Sequence, residues 1–127
     1  MHVIRQGELY LFELESLTTD EFDDLKRLNP ELERDVPAGF SEAAREDGAL
    51  VCAHSETGHH HVVDAPRARR FVSPSDPLVA YLVLGMEAEL KHRREDHTHE
   101  SHTLAKGIYY ARLQRESTPD GWQRVRD

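Results

Sequence analysis

Residues 49–64 read ALVCAHSETGHHHVVD: two short apolar-and-polar runs on either side of a Ser-Glu-Thr-Gly segment. Turn-forming residues between strand-like runs are the signature of a β-hairpin, and the loop Ser55–Gly58 has a common hairpin length. Pairing the runs around that loop sets His54 opposite His59, Cys52 opposite His61 and Leu50 opposite Val63. Side chains alternate along a strand, so Leu50, Cys52, His54, His59, His61 and Val63 are expected on one face, with His60 on the other.

The β signal continues outward from this hairpin. Runs at 69–72, 78–84, 86–92 and 107–116 alternate or are continuously apolar, and SPSDP and STPDG supply turns between them. Upstream, GELYLFELE (7–15) reads as a strand. LTTDEFDDLKRLNP (17–30) carries helix punctuation: Thr18 and Glu21 fit a capping box, acids crowd the first turn, and Asn29-Pro30 stops it. A helix at about 18–29 is predicted, with a second short one at 41–47. One mainly-β domain over 1–127 follows, a small β-sandwich or barrel with an N-terminal helix, a β-rich part at about 48–116 and a tail at 117–127.

Bulk properties exclude several function classes. The chain has 127 residues, 38% apolar and 31% charged, with net charge −8, so a basic nucleic-acid-binding surface is not expected. The longest apolar run, LVAYLVLGM (78–86), is far shorter than the roughly 20 residues of a membrane span, and no membrane partner is expected. The N-terminal residues lack the apolar stretch of a signal peptide, and the single cysteine, Cys52, rules out an internal disulfide; a cytoplasmic or intracellular protein is expected. P-loop and Rossmann glycine motifs are missing.

Eight of the nine histidines lie between 54 and 102. Imidazoles on neighbouring strands can converge on one ion, and His54, His59 and His61 form such a set with Cys52 nearby. In 86–93, Met86, Ala88, Leu90 and His92 alternate with Glu87, Glu89, Lys91 and Arg93, so His92 continues the apolar face. REDHTHESH (94–102) adds His97, His99 and His102 beside Glu95 and Asp96. Cys52 beside His54 or His61 could also form a nucleophile–base pair, against which stands the usual inertness of a buried strand cysteine.

GHHHVVD (58–64) resembles the first motif of the cupin superfamily, and LAKGIYY (104–110) is similar to the turn and strand of the second. That resemblance implies a small barrel with His59 and His61 as metal ligands and a third from His92, His97 or His99. Asp64 stands slightly before the position of the motif's glutamate, and no histidine follows Gly107. The expected function is divalent metal binding, with Zn, Ni, Fe or Mn unresolved; in an enzyme, Glu95 or Asp96 would be the candidate base. The rival expectation is a non-catalytic assembly subunit of a larger particle, such as a phage capsid accessory (cement) protein or an adaptor. It would self-associate or bind a protein partner through the region of Trp122, although docking of Trp122 and Val125 on the chain's own core is favoured.

Overall fold

In the computed structural model, residues 3–46, 49–54, 60–63, 65–93, 98–118 and 121–124 are described. The chain opens with a hairpin of β1 (Val3–Gln6) and β2 (Leu9–Glu13), closed by the two-residue loop Gly7–Glu8. Gly7 has φ +58°, a conformation that a side chain would strain. Alternation alone merges this loop with the following strand, because Gln6-Gly7-Glu8 continues the polar/apolar rhythm. After a 3-10 turn at Leu14–Ser16, α1 runs Thr19–Leu28 with the predicted capping box: Thr18 Oγ1 accepts from Glu21 N at 3.2 Å, and Thr18 N donates to Glu21 Oε1 at 2.9 Å. The Thr18 amide holds the Glu21 carboxyl below its usual range.

The remaining elements are β3 (Ser41–Glu42), β4 (Leu50–His54), β5 (His60–Val63), β6 (Ala68–Val72), β7 (Val79–Leu84), β8 (Ala88–Arg93), β9 (Thr98–Leu104), β10 (Gly107–Leu113), β11 (Arg115–Thr118) and β12 (Gly121–Arg124). They form a six-stranded sheet in the order β1-β2-β10-β7-β6-β3, a four-stranded sheet β4-β5-β8-β9 and the β11-β12 hairpin. All pairings are antiparallel and neither large sheet closes on itself, so the fold is sandwich-like rather than a barrel.

One local expectation differs, and two features go beyond the expectations. The helix expected at 41–47 does not form: Ser41 and Glu42 pair with Val72 and Phe71. A one- or two-turn helix is marginal by itself, and here tertiary bonds outweigh it. Arg69 grips both carboxylate oxygens of Glu42 at 3.1 and 2.8 Å, and Arg45 donates to the carbonyls of Ala65 and Ala68. Next, β9 arises from a polar histidine run that lacks an apolar strand pattern; only Leu104 of its described side chains is buried. Finally, the tail makes a hairpin in which Trp122 is the register partner of Ser117, and Val125 lies outside the described residues.

Packing explains the element patterns. Leu9, Leu11, Ala80, Leu82, Leu84, Tyr109 and Ala111 of the large sheet face Leu50, Val63, Leu90 and Leu104 of the small one in a common core. The opposite face of the large sheet, with Val79, Tyr81 and Tyr110, packs on Leu14, Leu17 and Leu32 and on Phe22 and Leu25 of α1. Strand β7 is thus covered on both sides, which is why its sequence is continuously apolar rather than alternating. No helix among the described residues is long and apolar enough to cross a membrane.

Candidate functional site: the histidine end of the small sheet

The ladder register gathers histidines from four strands at one end of the small sheet. His54 of β4 is the partner of His60 of β5, and His60 is in turn the partner of Arg93 of β8, itself opposite Thr98 of β9. The adjacent row runs Ala53, His61, His92. His99 lies in β9, one residue beyond Thr98. Two rows further in, Val63, Leu90 and His102 are partners, and the half-buried His102 keeps its Nε2 away from solvent. His59, His97, Glu95 and Asp96 lie outside the described residues.

This register differs from the simple hairpin. Leu50↔Val63 and Val51↔Val62 pair as alternation predicts, but the next pairs are Ala53↔His61 and His54↔His60. Cys52 is the extra residue of a β-bulge, which offsets everything beyond it by one position. As a result His54 shares a row with His60, not with His59, and Cys52 is not the partner of His61. The thiol itself is buried in the core, where burial pushes its pKa up to about 12 against a smaller opposing effect of Arg70. It is therefore a protonated packing group, and the nucleophile–base pairing is removed.

His61 is the centre of the described polar groups. It is fully buried (0% exposed), as is Gln6 (0%), and Glu8 is nearly so (3%). Its Nδ1 lies 2.8 Å from Gln6 Oε1, and Gln6 Nε2 donates to the Leu90 carbonyl at 3.3 Å. Because the amide nitrogen is committed to a carbonyl, Gln6 presents oxygen to the ring, and His61 Nδ1 must carry the hydrogen. In the neutral ring Nε2 then holds a lone pair. That atom is 3.7 Å from Glu8 Oε2, too far for a good hydrogen bond and inside ion-pair reach.

The β1-β2 loop delivers Gln6 and Glu8 over this end of the sandwich. Its backbone is fastened from the far side, where Gln114 N donates to Glu8 O at 2.8 Å. Neither residue stands out in the sequence, because a Gln-Gly-Glu turn is ordinarily solvent-exposed. The only hint is their place flanking an apolar strand; the partners of Gln6 are 55 and 84 residues away.

Residues 5–114 match the family model described as Domain of unknown function (DUF8820). The chain belongs to that family. The DUF8820 match takes in Gln6, Glu8, His61, His92 and His102, so the whole described site falls within the family's domain. No curated protein and no solved structure matches the chain. Among the described residues of this DUF8820 domain, no three histidine, cysteine or acidic side chains converge as a metal-ligand group.

Proposed function

We propose that the histidine end of the small sheet binds a divalent transition metal, with His61 Nε2 as its fixed ligand. The observation that carries this reading is the Gln6–His61 hydrogen bond. Metal-ligating histidines generally donate their other ring N–H to a carbonyl or carboxylate, which sets the tautomer and the ring orientation. Gln6 does this for His61 in a buried setting where an imidazole needs a defined role. Further imidazoles would come from His92, the register partner of His61, and from His59, His97 or His99; His54, the register partner of His60, shares that residue's row instead. Neutral imidazoles suit Zn²⁺, Ni²⁺ and Fe²⁺.

Metal analysis of untagged protein, with melting measured before and after chelation, tests the reading. Stoichiometric metal and a lower melting temperature after chelation are expected. His61→Gln and His92→Gln should each lose metal, whereas His60→Gln, in the other register row, should keep it. Sub-stoichiometric metal together with an unchanged melting curve overturns the proposal.

An assembly role is a second reading, favoured by β9. It is one of the two edge strands of the small sheet, seven residues long, and has neither lysine nor proline to discourage pairing with another chain. Light scattering at rising concentration tests it, and a strict monomer would end it.

A further inference from the structure

We infer that Arg70, on the core-facing side of the large sheet, holds a halide-class anion such as chloride in the small cavity beside Cys52. This site is separate from the histidine end and does not rest on the metal reading of His61.

The strand register puts the arginine there. Ala68, Arg70 and Val72 alternate onto one face of β6; Ala68 is buried in the common core and Val72 packs against it. The register partner of Arg70 is Leu82, itself a core residue. A guanidinium stays ionised in a protein, so a permanent charge stands where its neighbours on that face are apolar. Arg70 is half-buried, and its Nε is shut off from solvent with no hydrogen-bond partner among the described residues. Nearby arginines find acceptors: Arg69 has both Glu42 oxygens, and Arg45 has the Ala65 and Ala68 carbonyls. The Asp76 carboxylate, in the β6-β7 turn, accepts from Leu78 N at 3.0 Å. A buried charged donor without an acceptor is costly, and a counter-ion removes that cost.

The cavity sets the size of the ion. Leu9, Cys52, Arg70, Leu78, Ala80 and Leu113 line it, and its volume of about 10 Å³ admits one particle of about the size of a water. Carboxylates, phosphate and sulfate are too large, whereas a halide is a single atom. The positive charge of Arg70 acts on the Cys52 thiol, against the effect of burial, which sets the guanidinium beside the bulge. A thiol S–H is a weak donor. Cys52 Sγ has only a long contact of 4.0 Å to the Leu50 carbonyl, so its hydrogen is available to an anion.

The test uses the full chain at fixed ionic strength, with chloride replaced stepwise by gluconate, which is too large to enter. Melting temperature is expected to rise with chloride and to saturate, as for a ligand that binds only the folded state. The chloride NMR line should broaden when protein is added. Arg70→Met should remove both effects, whereas Arg67→Met, which deletes an exposed arginine, should leave both unchanged. Crystals soaked in bromide should show an anomalous peak beside Arg70 Nε. If Arg70→Met fails to fold, that wild-type peak decides: bromide at Arg70 supports the inference, and a water in its place overturns it. Equal melting in chloride and gluconate without line broadening overturns it, as does a loss in Arg67→Met equal to that in Arg70→Met.

Discussion

Gln6 shows how much one amide can decide. Its nitrogen goes to the Leu90 carbonyl and its oxygen to His61 Nδ1, so the imidazole is fixed in one tautomer before any ligand arrives. Leucine in its place has similar bulk but offers no acceptor to a buried ring N–H. Gln6→Leu should therefore cost about 1–3 kcal/mol of stability, read as a lower urea midpoint with an unchanged slope. Stability equal to wild type would show that the amide does not anchor the ring. The same logic separates two adjacent histidines: His61 belongs to the row of Ala53 and His92, and His60 to the row of His54 and Arg93.

Elements differed in how plainly they could be read from sequence, and the reason is the distance to the deciding partner. α1 is legible because its signals are local: Thr18 and Glu21 cap each other across three residues, and Lys26 and Arg27 sit in the last turn. β7 is legible because burial on both faces leaves a continuous apolar run. The β4-β5 hairpin is legible only as far as Val51, since alternation presumes an unbroken ladder and nothing in Leu50–His54 announces a bulge. Gln6 and Glu8 were missed because their partners lie on the opposite sheet. The bulge makes its own prediction. Leu50–Val63, Val51–Val62 and Ala53–His61 become one continuous ladder if Cys52 is removed, whereas a one-residue deletion elsewhere in a strand reverses every following side chain. Deleting Cys52 should leave a folded protein weakened by about 0.5–3 kcal/mol, in the range of an ordinary point change. Complete loss of the thermal transition would show that the bulge itself is required.

At the scale of the whole molecule, the helix, the large sheet and the small sheet are layered around two cores that share the strands β2, β7 and β10. Tyr81 and Tyr109 lie on opposite faces of the large sheet, one in each core. The Tyr81 hydroxyl donates to Glu33 O and accepts from Glu33 N, and Tyr109 donates to Ala105 O at 2.8 Å. Burial is the main cause that pushes both phenols up from 10.0 to about 12. Between these values the unfolded chain releases protons that the folded protein retains, so unfolding is favoured as pH rises. Their stabilisation is complete below about pH 10 and is lost as pH rises through about 12. Melting temperature should fall steeply across that window while the phenolate absorbance of these two rings appears only with unfolding. Ionisation in the folded state near pH 10 would contradict this.

The order in which the strands find partners also sets when the site can exist. β2 takes its place in the large sheet beside β10, about a hundred residues later in the chain, with Leu11 opposite Ala111. Among the described residues β1 has no other strand neighbour than β2. Gln6 and Glu8 can therefore be held against His61 only once Leu113 has left the ribosome. A nascent chain that stops short of β10 would carry the histidine strands without the loop that organises them. Pairings so distant along the chain also slow folding. The site is thus a late product of synthesis, completed when nearly the whole family domain has emerged.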